Sequence, residues 1–185
     1  MTKAGKAQRT RERLIRVALD LFSVEGFDNT SVAQIASAAG VTEMTFYRNF
    51  PTKDSVVLDD PFDPVIADAI IHQHHDLPAL AAIAAGIREV WSSVPTTETG
   101  AIRDRLRVIA SSDRLRSAMT RSAAASELAI CGALRIRGTD PDDAEIAAAA
   151  AIAALNAALM AWSRRDDAPL SEAIEQALDV LEGSR

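Results

Sequence analysis

The stretch Gln34–Lys53, QIASAAGVTEMTFYRNFPTK, decides the fold. It reads as a helix that stops at Gly40, then a short second helix that starts at Thr42 and ends at Pro51. Phe46 and Phe50, four apart, supply the buried side of the second helix. Its exposed side carries Glu43, Met44, Thr45, Tyr47, Arg48 and Asn49, with Met44 placed between groove and core. Two helices joined by a short glycine-containing turn form the unit that lays its second helix in the major groove of DNA. Hydroxyls, Tyr and Lys (Thr42, Thr45, Tyr47, Lys53) typically bind phosphate and fix register, whereas Asn49 and Arg48 can make bidentate contacts with adenine or guanine. Periodicity alone fits an ordinary amphipathic helix with a polar outer face equally well. The flanking sequence separates the two readings.

Upstream, Ser31 with Gln34 three residues on forms a capping box, and the helix it opens turns Val32, Ile35, Ala36 and Ala39 inward. Before that, Leu14, Ile15, Ala18, Leu21 and Phe22 recur at helical spacing from about Arg9 to Gly26, with Phe27 as the contact behind the cap. Lys3–Thr10 lacks periodicity and reads as a mobile basic arm. Downstream, Thr52 can cap a fourth helix with Asp54 in its first turn. The run Asp60-Pro61-Phe62-Asp63-Pro64 breaks that helix, and Asp63-Pro64 starts a new one. Ala-rich helices are then expected at roughly 64–74, 78–94, 98–110, 113–137, 141–165 and 169–182. The fold class is therefore all-α: an N-terminal three-helix DNA-binding domain over 1–53 and a C-terminal antiparallel helical domain over 54–185.

Composition agrees. Of 185 residues, 48% are apolar, 25% charged and only 4% aromatic, which suits packed helices and not sheet or disorder. The net charge of -6 looks wrong for a DNA binder until it is divided. Residues 1–53 hold eight basic groups (Lys3, Lys6, Arg9, Arg11, Arg13, Arg16, Arg48, Lys53) against five acidic ones, or +3, leaving -9 for the remainder. That asymmetry fits a basic module facing phosphate and an acidic body held away from it. The Ala-rich run Ile146–Ala161 carries Asn156 and is too weakly hydrophobic for a membrane span, so no membrane partner is expected. The N-terminus lacks the apolar core of a signal peptide, and the single cysteine fits a reducing cytoplasm.

The segment GFDNTSVAQIASAAGVTEMTFYRNFPTKDSVV resembles the DNA-binding domain of TetR-type transcriptional repressors, over about residues 9–58. The resemblance implies that Ser31 and Thr42 lie at helix starts near phosphate, and that Thr45, Tyr47 and Lys53 contact the backbone. Glu43, Met44, Arg48 and Asn49 would stand nearest the base edges. Many family members have Lys-Gly or Pro-Gly where this chain has Glu43-Met44. Glu can accept from cytosine and Met can touch a thymine methyl, or Glu43 can simply face water. The segments TFYRNFPTKDSVVLDDPFDPVIADAI and RDRLRVIASSDRLRSAM are similar to a branch of regulators found beside mycofactocin genes.

In the body, Ile87, Trp91, Leu106, Ile109, Met119 and Leu128 are among the larger apolar side chains, with Val90, Ile130 and Leu134. The resemblance implies a pocket there for a small hydrophobic effector; core packing explains the same residues one by one. The last two helices, with Leu155, Leu159, Trp162 and Leu178, are the expected seam of a homodimer, whose two recognition helices would read a (pseudo)palindromic operator in double-stranded DNA. His72 and His75 lie three apart and could share a metal with Asp76, but a polar helix end with three solvated histidines (His74 included) accounts for them as well. Cys131 reads as core filling or as a redox sensor. These residues leave a metal- or redox-responsive regulator as the alternative, and a helical enzyme or adaptor as a third class. No Gly-rich phosphate loop or nucleophile motif marks a catalytic or cofactor site, so the expectation is a non-enzymatic regulator.

Overall fold

The computed structural model describes residues 3–59, 62–95 and 99–183. Among them every regular element is a helix: α1 Lys3–Glu25, α2 Val32–Ala38, α3 Glu43–Asn49, α4 Ser55–Leu58, α5 Asp63–His72, α6 Ala79–Ser92, α7 Thr99–Ser111, α8 Asp113–Ile136, α9 Pro141–Ser163 and α10 Leu170–Glu182. The all-α expectation holds. The chain divides into two compact units, Met1–Asp59 with Asp104–Met119, and Asp60–Arg103 with Thr120–Arg185.

The first unit is closed by aromatic residues. Leu14, Ala18 and Phe22 of α1, Phe27, Ile35 of α2, and Phe46 and Phe50 are all buried. Phe22 meets Phe27 with ring centroids 4.9 Å apart, and Phe46 meets Phe50 at 5.7 Å. Val32 and Leu21 are only half-buried. α1 departs from the sequence expectation at its start. It runs from Lys3 rather than Arg9, so the basic arm is helical over the described residues. Lys, Ala, Gln and Arg extend a helix without any apolar period, and the Gln8 side chain donates to Glu12 one turn on (2.9 Å). α4 is also shorter than expected. The Thr52 hydroxyl accepts from the Ser55 N–H (3.2 Å), as a cap would, but regular helix begins only at Ser55. Asp54 pairs with Arg114 (2.9 Å). The expected break falls partly on Asp60 and Pro61, and the expected start of α7 on residue 98; these lie outside the described residues.

In the second unit, α9 and α10 make the most extensive helix pairing. Ala144, Ala147, Ala148, Ala151, Leu155 and Trp162 are buried on α9, and Leu170, Ala173, Ile174, Ala177 and Leu178 on α10. Small residues let two helix axes approach closely. α9 is, among the described residues, the one helix long and apolar enough to cross a membrane by length and composition. The sequence reading set that run aside as too weakly apolar. Along one side of α9 this apolar character, mostly alanine, is spent on packing within the fold. Arg137 closes the end of α5 by donating to the carbonyls of Ile70 (3.2 Å), Gln73 and His74 (2.6 Å). These are carbonyls at and just beyond the end of α5, where a helix leaves acceptors without internal partners.

Candidate nucleic-acid interface

The α2–turn–α3 unit is built by local chemistry. Ser31 adopts extended backbone and its hydroxyl accepts from the Gln34 N–H (3.2 Å), while the Gln34 side-chain oxygen accepts from the Ser31 N–H (2.7 Å). This is the expected capping box. At the far end of α2, Val41 donates to Ala36 (2.9 Å) and Gly40 donates to Ser37 (3.0 Å). That pair of bonds requires a left-handed residue between them, and Gly40 supplies it with φ +62. The corner aims the chain into α3, where Thr42 caps by accepting from the Thr45 N–H (3.2 Å).

α3 then divides into two faces. Phe46 is buried, and Tyr47 packs edge-on against it at 5.5 Å. Met44 is 69% exposed and Tyr47 is 49% exposed. Glu43 and Arg48 are exposed beside them. Met44, left open between groove and core, therefore stands on the outer side. Thr45 and Asn49 are half-buried, and the Asn49 amide donates back to the Thr45 carbonyl (2.8 Å). The outer face thus offers one carboxylate, one thioether, one phenol and one guanidinium, the mix that base edges and phosphates can engage.

Lys53 is placed differently from its neighbours on the expected interface. Its ammonium donates to the carbonyls of Phe27 (2.6 Å) and Thr30 (2.8 Å) and lies 4.1 Å over the Phe27 ring. Burial, reinforced by the Arg114 charge, pushes its pKa down, against the pull of Asp28 and Asp54. In this conformation the cation holds the α1–α2 turn.

The sequence profile of the tetR family of bacterial regulatory proteins matches residues 14–59, and that of the MftR C-terminal domain matches residues 77–185. This chain belongs to the TetR family of transcriptional regulators. Over 53 residues it is 49% identical to the HTH-type transcriptional regulator TcmR of Streptomyces glaucescens, covering 29% of this chain and 24% of that protein. Over 51 residues it is 45% identical to AcrR of Shigella flexneri, covering 28% and 24%. The chain thus matches about a quarter of the length of these curated relatives. Two solved structures share the fold. One is NalD, the secondary repressor of the MexAB-OprM multidrug efflux pump in Pseudomonas aeruginosa (TM-score 0.59, 21% identity, 97% of this chain and 96% of that one). The other is a transcriptional regulator of Aquifex aeolicus (TM-score 0.56, 16% identity, 95% and 99%).

The other expected sites are dispersed. Ile87 is buried in the second unit, and Leu106 and Ile109 are buried in the first. Met119 is half-buried, and Leu128 is 73% exposed. Only Trp91 of the six lines a cleft of about 400 Å³ within the second unit, with Arg88, Val94, Leu170, Ser171 and Ile174. Phe62 stacks on Trp91 at 4.8 Å. Leu155, Trp162 and Leu178 are buried within the second unit, and Leu159 is half-buried. The large apolar residues exposed on α9 and α10 are Ile146 (68%) and Val180 (61%). His72 lies 2.8 Å from the Asp68 carbonyl, and His74 pairs with Asp76 at 3.5 Å. Among the described residues, no three His, Cys, Asp or Glu side chains gather as a metal site, and Cys131 is buried.

Sequence reasoning missed the arginines that bind distant carbonyls. Arg103 donates to Ala168 (2.8 Å) and lies 4.3 Å over the Trp162 ring, while Trp162 Nε1 donates to the same carbonyl (2.9 Å). Arg105 donates to Val57 (2.7 Å). The alternation Arg103, Arg105, Arg107 says that they diverge, but no sequence signal names partners 48 and 65 residues away.

Proposed function

We propose that the regulator is a cytoplasmic homodimeric repressor that lays α3 in the major groove of each half of a (pseudo)palindromic operator and is released by a small hydrophobic effector. The carrying observation is the outer face of α3, where Glu43, Met44, Tyr47 and Arg48 stand exposed over a sealed aromatic base. In this reading Glu43, Met44, Arg48 and Asn49 face base edges, and Ser31, Thr42, Thr45, Tyr47 and Lys53 face phosphate. Residues 1–53 hold DNA. Residues 54–185 take up the effector near Trp91 and dimerise through the outer sides of α9 and α10. The effector acts by preferring a body conformation that the operator-bound dimer disfavours, and its leverage equals its difference in affinity for the two states.

The test begins with duplexes recovered from a random-sequence pool by the wild-type protein. Fluorescence anisotropy then compares wild type and Tyr47→Ala, alongside the mass in solution by light scattering. Binding about tenfold weaker in the variant, from a two-chain species, is expected. Unchanged binding, or a monomer that binds as well, overturns the reading.

A further inference from the structure

Nothing in the sequence context of Arg11 distinguishes it from the other cations of α1. Lys6, Arg9, Arg13 and Arg16 recur along one exposed side of that helix. Arg11 instead turns toward the end of α3. Its Nη1 donates to the carbonyl of Asn49, the last residue of α3, at 2.7 Å. Its Nη2 donates to Asp59 Oδ2 at 3.0 Å. Its guanidinium lies 4.2 Å over the ring of Phe50, which is fully buried. One planar group is thus held by an acceptor, a carboxylate and a ring face together.

That grip falls where α3 needs it. The helix has seven residues, too few to stand alone, and its N-terminal end is already fixed by Thr42 and the Gly40 corner. Carbonyls in the last turn of a helix lack internal partners, and a cation there is favourable. Rotating α3 about its fixed start would carry Arg48 and Tyr47 farthest, and Arg11 opposes that rotation. We propose that Arg11 is a positioning residue for base recognition: without touching DNA, it sets the angle of α3 and so the reach of Glu43, Met44, Tyr47 and Arg48. The inference rests on the reading of α3 as the base-reading helix.

A lysine keeps the charge that a phosphate contact would need, but it cannot stack on Phe50 while bonding two acceptors in plane. Arg11→Lys and Arg11→Gln are therefore compared with wild type on two probes at several salt concentrations: a duplex selected by wild type from a random pool, and poly(dI-dC). Helix content and thermal midpoint are recorded for each sample. The expected result is that both variants bind the selected duplex about tenfold more weakly, a loss comparable to one base contact. With Arg11→Lys, poly(dI-dC) affinity should stay within about twofold, and the slope of log K against log salt should be unchanged in both variants. If Arg11→Lys restores full affinity while Arg11→Gln flattens the slope by about 0.9, Arg11 is a phosphate ligand and the proposal falls. A lower thermal midpoint with an unchanged ratio of specific to non-specific affinity also overturns it, leaving Arg11 a packing residue. Asp59→Asn loosens the same grip without entering the core, and is expected to lower that ratio by a smaller factor. Should wild type recover no preferred duplex, the reading of α3 fails first, which the wild-type arm reports by itself.

Discussion

Gly86 sits inside α6, and an alanine there brings two opposed effects into competition. A helix-interior Gly→Ala change ordinarily stabilises, by about 1 kcal/mol, because glycine loses more backbone freedom on folding and has the poorer helix propensity. Here a Cβ would lie 2.8 Å from Ile70 Cγ1, 3.0 Å from Ile70 N and 3.2 Å from Ile70 Cα. The first contact could be relieved by a rotamer change, but Ile70 is fully buried and the other two atoms are backbone of α5. α5 and α6 would therefore have to separate by a few tenths of an ångström along a close-packed seam. Overpacking of that kind costs about 1–3 kcal/mol. The balance favours destabilisation by up to about 2 kcal/mol, which in a chain of this size is a fall of up to about 4–8 °C in thermal midpoint. Urea and thermal unfolding of Gly86→Ala followed by circular dichroism measure it. A variant as stable as wild type, or more stable, would refute the claim that glycine is present for close approach. Gly100, also helical, has nothing within 4 Å of a built Cβ, so Gly100→Ala is the matched control and should keep or gain stability.

Arg88 joins α6 to α10 through Glu182 (2.9 Å) and Glu175 (2.9 Å), which hold its pKa up, and Asp179 lies at 4.0 Å. Arg88→Ala leaves them facing one another without a cation. The expected loss is about 1 kcal/mol at low salt, shrinking toward zero in 1 M NaCl as screening sets in; a loss independent of salt contradicts this account. For Lys53, burial depresses the folded pKa below the ordinary 10.5, so in the window between the two values the unfolded chain binds the proton more tightly. Stability contributed by Lys53 therefore rises with pH there, and the urea midpoint of wild type should climb relative to that of Lys53→Met. A flat or falling difference refutes the buried placement.

What the sequence reveals follows the range of each interaction. Ser31 with Gln34, Thr42 with Thr45 and the Gly40 corner act within five residues, so their types and spacing spell the geometry, and the structure reproduces it bond by bond. Phe46 and Phe50 announce the inner face of α3 in the same way. The start of α1 was not legible, because a polar helix of Lys, Gln and Arg has no period to detect. Asn49 offers an amide to adenine, and in this conformation one of its N–H groups donates to the Thr45 carbonyl one turn back. Lys53, Arg11, Arg103 and Arg137 each donate to main-chain carbonyls 23 to 67 residues away. A guanidinium aimed at a main-chain oxygen leaves no mark on the partner's identity, since every residue has that oxygen. The seam of α9 and α10 shows the same limit: small residues announce a close helix pair, but not whether the second helix belongs to the same chain.

The claim that α3 reads bases is tested most directly by selecting duplexes from one random pool with wild type and with Glu43→Ala in parallel. Glu43 is exposed in the first turn of α3, whose cap is Thr42, so its removal costs only the few tenths to about 1 kcal/mol of a charge at a helix start. If its carboxylate meets a base edge, the variant should still recover two half-sites, but with the preference relaxed at one symmetrical position and a penalty there reduced by about 1–3 kcal/mol. Loss of preference spread evenly over the site, or no recoverable half-sites even for wild type, would contradict an α3 seated in the major groove.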